Sequence, residues 1–349
     1  MPKIPVQIVG ATGYAGGDLL RLLLRHPHVE IASLTAADVD APTEVGRVWP
    51  DLWGLCDVLI QPATGAIPPN VDLAFLATPD KVAMKLAPAY LEKGIKVIDF
   101  AGDFRFKDPS LHDAWYGGVH TAPDLCAEAV YGLPEIFRSE IAGARLVANP
   151  GCYPTCAILA LYPAIKDSMI HPSKVIVSSA SGATGAGKHP SLAYHHPEVA
   201  ENFRAYKIAS HRHTPEMEDA LTRATGKEVQ LTFVPHLLPI RRGILATIFG
   251  ERTTSDHLED IHAIYRDTYA HEPFVRVLPL GEVPQIKAVQ LSNFCDISLH
   301  EDARTGRLII LSALDNTGKG ASSQAVQNMN ILAGLDERTG LWPASLHNG

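Results

Sequence analysis

Two short blocks of this chain carry residue types that could do covalent chemistry together. The first is Asn149-Pro150-Gly151-Cys152-Tyr153-Pro154-Thr155-Cys156, between a short apolar strand, Leu146-Val147-Ala148, and an apolar run over 156–161 that reads as helix. Pro154 suits a first helical position, and Asn149 and Gly151 supply turn chemistry. Cys152 is then expected at a helix mouth, where unsatisfied backbone N–H groups and the positive end of the helix dipole favour thiolate over thiol. A thiolate is a good nucleophile toward acyl carbons. The plainer alternative is a buried structural cysteine. The second block, Ser210-His211-Arg212-His213-Thr214-Pro215-Glu216, puts two histidines, an arginine and a carboxylate at the start of a helix expected over 215–225. An imidazole titrates near neutrality and suits proton transfer. Here the alternative is that Thr214 merely caps the helix among surface histidines.

Such chemistry needs elements that position it, and the N-terminus shows one. Val6-Gln7-Ile8-Val9 reads as a strand, followed by Gly10-Ala11-Thr12-Gly13-Tyr14-Ala15-Gly16-Gly17, a helix over 18–25 and a second strand over 31–34. A G-x-x-G-x-x-G run between strand and helix lets the backbone approach a pyrophosphate and seats it on the helix N-terminus. The alternation continues with a strand over 73–76, a helix over 82–92 and a strand over 97–100. Thr78 and Pro79 stand at the strand end where open parallel sheets place their ligand crevice. After Cys152 the pattern changes to strands over 175–179, 229–234, 243–250, 292–299 and 308–314, with helices over 255–269 and 323–335. The expectation is an α/β chain: an N-terminal Rossmann dinucleotide-binding domain and an α+β substrate domain on a largely antiparallel sheet. A dinucleotide site followed by a helix-mouth cysteine points to cysteine-dependent acyl redox chemistry.

Composition narrows the classes. The chain has 349 residues and a net charge of −8 with no Lys/Arg run, which argues against a nucleic-acid partner. No stretch is long and apolar enough for a membrane span, and the N-terminus has no signal-peptide pattern. Five cysteines at irregular spacing do not form a disulfide framework, so a cytoplasmic, reducing location is expected.

The blocks Gly10-Ala-Thr-Gly-Tyr-Ala-Gly16, Ala148-Asn-Pro-Gly-Cys-Tyr-Pro-Thr155, His211-Arg-His-Thr-Pro-Glu216 and Lys319-Gly-Ala-Ser-Ser-Gln-Ala-Val-Gln-Asn-Met-Asn330 resemble the N-acetyl-γ-glutamyl-phosphate reductase family. This is the arginine-biosynthesis branch of the semialdehyde dehydrogenases. Val97-Ile-Asp-Phe-Ala-Gly-Asp-Phe-Arg105, Tyr131-Gly-Leu-Pro-Glu135 and Ser181-Gly-Ala-Thr-Gly-Ala-Gly187 match further blocks in order, so the resemblance spans nearly the whole chain.

It implies an NADP-binding domain over 1–150 plus 316–349, a catalytic and oligomerisation domain over 151–315, a small-molecule substrate, and a homo-oligomer, either dimer or tetramer. It implies Cys152 as nucleophile and His213 as general base, with His211 and Glu216 beside it. Cofactor contacts fall on Gly10, Thr12, Gly13, Tyr14, Ala15, Gly16, Ser33, Thr35, Thr78, Pro79, Ser181, Gly182 and Asn316. Candidates for the substrate are Asn149 and the cations Arg105, Lys188, Arg212 and Arg242, since carboxylate and phosphate favour cationic donors. No metal is implied.

One departure stands out. Where many relatives carry a Ser/Arg-bearing segment that grips a 2′-phosphate, this chain reads Ser33-Leu34-Thr35-Ala36-Ala37-Asp38. Asp38 lies near the position of an acid that would hold a ribose 2′-OH, which favours NAD. The hydroxyls of Ser33 and Thr35 leave room for a phosphate, and the family favours NADP. Competing readings are aspartate-semialdehyde dehydrogenase, whose cysteine is usually followed soon by Gln, and the aminoadipate-pathway reductase. From other classes come a metal-binding regulatory protein using Cys152 and Cys156, and a cysteine hydrolase, which leaves the glycine run unexplained.

Overall fold

The computed structural model describes residues 3–341. By contacts the chain divides into two compact units, Met1–Pro150 with Ala321–Trp342, and Gly151–Gly320.

In the first unit seven strands, β1 (Ile4–Val9), β2 (Val29–Ala36), β3 (Ile60–Pro62), β4 (Leu73–Leu76), β5 (Lys96–Asp99), β6 (Val130–Tyr131) and β7 (Leu146–Ala148), lie in the order β3-β2-β1-β4-β5-β7-β6. Every pairing is parallel. Consecutive parallel strands need crossovers, which helices α1 (Tyr14–Leu23), α2 (Ala83–Glu92), α3 (Pro109–Tyr116), α4 (Pro123–Glu128) and α5 (Pro134–Ala142) help to supply. The chain leaves β1 in one direction to β2 and returns on its other side to β4, so the order reverses at β1. Open sheets of this kind bind ligands at such a reversal, outside the carboxyl ends of the strands. Strands β1 and β4 are buried on both faces, with Val6, Ile8, Ala74, Phe75 and Leu76 inaccessible to solvent.

The second unit holds α6 (Cys152–Lys166) and a mixed sheet. Its strands are β8 (Ile170–Ser181), β9 (Arg204–Ala205), β10 (Leu231–Leu237), β11 (Ile244–Arg252), β12 (Val275–Val277), β13 (Cys295–Asp302) and β14 (Arg307–Leu314), in the order β12-β13-β14-β11-β8-β10-β9. The pairings β9–β10, β8–β11, β11–β14 and β13–β14 are antiparallel; β8–β10 and β12–β13 are parallel. The expected largely antiparallel sheet is therefore present. Its inner face packs on α6, whose apolar residues from Cys156 to Leu161 are all buried, and helices α7 (His213–Thr225) and α8 (Leu258–Thr268) flank α6. Tyr265 of α8 and Tyr269, which caps its C-terminus, reach in to donate to the Ala160 and Leu159 carbonyls. The last helix, α9 (Ser323–Leu332), packs in the first unit on α1, α5 and β5.

Three sequence expectations shift. The first helix begins at Tyr14, not at residue 18, because the glycine loop itself winds into the first turn. Helix α6 begins at Cys152, so Pro154 sits inside the first turn, where its missing N–H still costs no hydrogen bond. The return to the first unit falls between Gly320 and Ala321, which leaves 316–320 in the second unit; the stretch 342–349 lies outside the described residues.

Candidate active site

In the first unit the glycine loop sits at the sheet reversal. Gly10 has φ of +91°, and a Cβ there would meet the Ala77 carbonyl oxygen at 2.2 Å. The loop thus rests directly on the end of β4. A Cβ on Gly16 would meet the Gly10 carbonyl oxygen at the same 2.2 Å, so helix and turn close only without side chains there. The amides of Gly10 and Ala11 both donate to the Thr35 carbonyl, tying the loop to β2.

Gly13 caps α1 in an extended conformation with no side-chain hydrogen bond, and no acid lies in the first turn. No side chain of its own cap or first turn occupies the first N–H groups of α1, which suits a pyrophosphate. At the end of β4 the buried hydroxyl oxygen of Thr78 has no hydrogen-bond partner, and Pro79 is exposed. A cradle that glycine alone permits and an orphaned hydroxyl at the strand end together fit a dinucleotide.

Ser33 lies inside β2, three residues before its end, and is only 9% exposed, whereas Thr35 is half-buried near the strand end. Asp38 stands in the turn beyond β2, where its carboxylate accepts the Thr12 hydroxyl at 2.5 Å.

Arg105 is buried, and its Nε and Nη2 donate to the Asn149 and Phe100 carbonyls. Those two bonds make it an anchor for the end of β7 rather than an extended arm. Asn149 is likewise held: its Nδ2 donates to the Ala321 carbonyl and its Oδ1 accepts from Asn328.

In the second unit the two chemical blocks meet. The Gly151 amide, next to Cys152, donates at 2.8 Å to Oε1 of Glu216, a residue 65 positions away and 1% exposed. Gly151 caps α6 in an extended conformation with no side-chain bond of its own, so Glu216 fills that role from α7. The other carboxylate oxygen of Glu216 stands 3.9 Å from Nε2 of His213, too long for a hydrogen bond. Cys152 is half-buried at the first position of α6. Tyr153, next in the chain, meets the rings of His211 and His213 edge-on at 5.6 and 6.0 Å.

The histidines differ. Nδ1 of His211 accepts the His213 amide at 3.1 Å, so that nitrogen carries no proton. Burial, with Lys207 adding to it, pushes the His211 imidazole down to about 4. It is neutral near pH 7 and serves as a wedge under the first turn of α7. Thr214 is not the cap of this helix, because α7 begins at His213 with Arg212 before it. Arg212 is partly buried, and burial lowers its guanidinium while Glu216 opposes the shift.

Sequence reasoning passed over Tyr206, whose hydroxyl lies 3.2 Å from that of Tyr153. Burial first, with neighbouring charge, drives both phenols far up, so they stay protonated. No local signal marks Tyr206; it arrives through β9.

A second cluster gathers at the end of β14. Oδ1 of Asn316 accepts the Gly243 amide at 2.7 Å, and its Nδ2 donates to the Thr184 hydroxyl at 3.0 Å. A Cβ on Gly182 would meet the Arg242 backbone at 2.7 Å, which brings Gly182, Arg242 and, through the adjoining strand end, Ser181 together. Asp315 organises this corner. Its carboxylate accepts from Arg242 and from the amides of Leu291, Thr317 and Gly318. No local pattern marks Asp315 as the partner of Arg242, 73 positions away. Next to it, Gly320 lies against the Cys152 turn, since a Cβ there would meet Cβ of Cys152 at 2.7 Å. Lys188 lies in an exposed stretch after β8, four residues beyond Thr184.

Cys156, one helical turn beyond Cys152, points into the core and donates to the Ser312 carbonyl. It shares no site with Cys152.

Comparison with known proteins gives the context. Residues 5–144 match the model of the semialdehyde dehydrogenase NAD binding domain, and residues 152–316 match that of the semialdehyde dehydrogenase dimerisation domain. An N-acetyl-gamma-glutamyl-phosphate reductase of Pelotomaculum thermopropionicum is 50% identical over 97% of this chain and 97% of its own length. One from Desulforudis audaxviator is 47% identical over 97% and 98%. Among solved structures, aspartate semialdehyde dehydrogenase II of Vibrio cholerae complexed with ASA superposes with a TM-score of 0.74 at 18% identity, covering 96% of this chain and 99% of that one. An aspartate semialdehyde dehydrogenase with NADP from Candida albicans gives 0.71 at 16% identity, covering 95% and 98%. At that identity the two structures establish the shared fold alone.

Proposed function

The chain belongs to the N-acetyl-γ-glutamyl-phosphate reductase family of semialdehyde dehydrogenases, and from that premise we propose that it reduces N-acetyl-γ-glutamyl phosphate to N-acetyl-L-glutamate 5-semialdehyde and phosphate, with NADPH as reductant and a thioester on Cys152. The observation that carries the reading is the Gly151–Glu216 contact, which sets the cysteine turn on the helix end that bears His213.

His213 accepts the thiol proton of Cys152, and the thiolate forms a bond to the acyl carbon as the carbon–oxygen bond to phosphate breaks. Splitting one hard transfer into two easier ones is the gain from a covalent intermediate. Glu216 holds both partners: one oxygen fixes the cysteine turn, and the other stabilises the imidazolium that proton transfer creates. The neutral hydroxyls of Tyr153 and Tyr206 border this turn as donors. Arg212 and Arg242 are the cations proposed for the substrate's carboxylate and phosphate, with Lys188 a third. Because the substrate is N-acetylated it carries no ammonium, and cations without a matching acid pair suffice.

The glycine loop, the open N-terminus of α1, and Thr78 with Pro79 are proposed to hold the dinucleotide; Ser181, Gly182 and Asn316 are proposed for its nicotinamide end. When bound, the nicotinamide supplies the hydride.

The domains follow the two units: a dinucleotide-binding domain over 1–150 completed by the C-terminal helix, and a catalytic and oligomerisation domain between them. The protein works as a homo-oligomer, and we assign the interface of a dimer to the outer face of the second sheet. There Ile176 is 46% exposed, and it is cross-strand neighbour to Phe249, itself opposite Ile309. A charged residue in place of Phe249 should shift the mass measured by light scattering toward the monomer. Among the described residues no helix is long and apolar enough to cross a membrane, and all five cysteines are free, which supports work in the cytoplasm.

The deciding assay measures phosphate-dependent NADP⁺ reduction with N-acetyl-glutamate semialdehyde against aspartate semialdehyde. Faster turnover of the shorter, unacetylated aldehyde would overturn the substrate.

A further inference from the structure

The segment after β2 carries the charge least suited to a 2′-phosphorylated nucleotide. Asp38 stands 22 positions past Gly16 in the chain (38 − 16), in the turn beyond the C-terminal end of β2. In dinucleotide-binding folds this is where the adenosine ribose lies, and an acid there accepts a hydrogen bond from its 2′-hydroxyl.

The structure adds a direct link: the Thr12 hydroxyl, inside the glycine loop, donates to Oδ1 of Asp38 at 2.5 Å. Thr12 is buried, so the carboxylate is tethered to the loop that would hold the pyrophosphate. Among the described residues its second oxygen accepts no hydrogen bond, and its own segment supplies no cation. Residues 33–43 contain no Lys, Arg or His, and Asp40 adds a second carboxylate.

The flanking arginines are already engaged. Arg21 on α1 pairs bidentately with Asp51 at 2.7 and 2.8 Å while stacking over Trp49, and Arg47 pairs with Glu44. A 2′-phosphate carries close to two negative charges. On this segment it would meet Asp38, without the arginine that commonly accommodates it.

We propose that Asp38 is a specificity-determining residue that lowers discrimination in favour of the 2′-phosphate, so that the protein binds NADH alongside NADPH. This rests on the dinucleotide site of the proposed function. The Asp38 carboxylate accepts the 2′-hydroxyl of NADH through its free oxygen, and it repels the 2′-phosphate of NADPH through space. Thr12 sets where the carboxylate stands, by spending its hydroxyl on Oδ1.

Equilibrium titration by quenching of tryptophan fluorescence, with no substrate present, tests this on the intact wild type and on Asp38→Asn. The wild-type dissociation constants for NADPH and NADH should differ by no more than about tenfold, the scale of one like-charge contact at a protein surface. Asp38→Asn keeps an acceptor for Thr12 and removes the charge. It should tighten NADPH by about tenfold at low salt, leave NADH within about threefold, and lose most of that gain at 1 M salt, because Asp38 is exposed. Wild-type protein that prefers NADPH by a hundredfold or more would overturn the proposal, as would an unchanged NADPH-to-NADH ratio in Asp38→Asn. If that variant does not fold, Asp38→Ser and the wild-type ratio decide. Absence of binding by either nucleotide would sink the dinucleotide site itself, and the proposed function with it.

Discussion

The two chemical ends of this protein are built from the same local junction and put to different uses. In the first unit β1 runs through Gly13 into α1; in the second unit the helix α6 starts from Gly151. Both glycines cap their helix in an extended conformation, at φ −72°, ψ 162° and φ −67°, ψ 154°, and neither helix has a side-chain cap of its own or an acid in its first turn. At α1 the helix mouth stays open, and side chains are excluded where the loop packs closest, at Gly10 and Gly16. At α6 a carboxylate from α7 fills the Gly151 amide, and a thiol takes the first helical position. An open N-terminus suits a polyanion from outside; one satisfied from inside becomes a fixed mount for the side chain at its first position. What distinguishes them is therefore not the turn but what occupies it.

The sharpest break in that comparison comes from the mount. Cys152→Ser should lose at least about 10⁴-fold in turnover while NADPH titrates as in the wild type, because the open mouth of α1 is untouched. Cys156→Ala, in the core one turn away, should remain active. Loss of nucleotide binding in Cys152→Ser would mean that the two junctions do not act separately.

The mirror experiment is Gly16→Ala. A methyl 2.2 Å from a backbone oxygen forces the glycine loop apart, so nucleotide binding should fall below detection in a fluorescence titration while the thiol remains available to alkylation. Normal binding would remove the loop from the site.

Next in size is the pair of histidines. His213→Asn should lower kcat by about 10²–10⁴-fold, the range for losing a proton-transfer group. His211→Asn should cost less, through packing beneath α7, and a larger loss there would reverse the roles. Glu216 divides more finely. Glu216→Gln keeps an acceptor for the Gly151 amide and loses only the charge facing His213, so kcat should fall by about tenfold. Glu216→Ala also strands the amide and should fall by about tenfold more, with a lower Tm. Equal effects would show that the amide contact does not position the cysteine.

The smallest effect is on pH dependence. His211 titrates at about 4 in the folded protein, against the usual value near 6.5 when unfolded. Between these values the unfolded chain binds the extra proton, so stability is fully present above about pH 6.5 and declines as pH falls toward about 4. Tm measured across that window should fall less steeply in His211→Gln than in the wild type. Identical slopes would show that the buried ring does not govern acid sensitivity.

Much of the first unit could be read from the chain. Gly10, Gly13 and Gly16 between an apolar strand and a helix state a backbone requirement directly, and Leu73-Ala74-Phe75-Leu76 and Leu146-Val147-Ala148 were placed to the residue because strands buried on both faces are unbroken apolar runs. The short strands β3 and β6 were missed, since two or three residues carry no periodicity. In the second unit the five longer strands were found with shifted ends, while the short β9 and β12 were missed as well. Cys152, His213 and Glu216 were picked out by residue type and by resemblance; that Glu216 would hold the cysteine turn was not visible. Nor was it visible that the Arg105 guanidinium would bond the Asn149 and Phe100 carbonyls, or that Ser33 would lie inside β2.

By itself, then, the sequence determined whatever is enforced within a few residues: where side chains must be absent, where helices can start, and which stretches must be buried. Those are short-range steric and solvation demands, and they carry the glycine loop, the parallel strands and a cysteine at a helix mouth. Only the tertiary structure decided how polar groups were shared out across long separations. It gave one Glu216 oxygen to Gly151 and turned the other toward His213, assigned His211's lone pair to an amide, and joined Thr12 to Asp38. A hydrogen-bonding group satisfies whichever partner folding brings within about 3 Å, and no local pattern names that partner in advance.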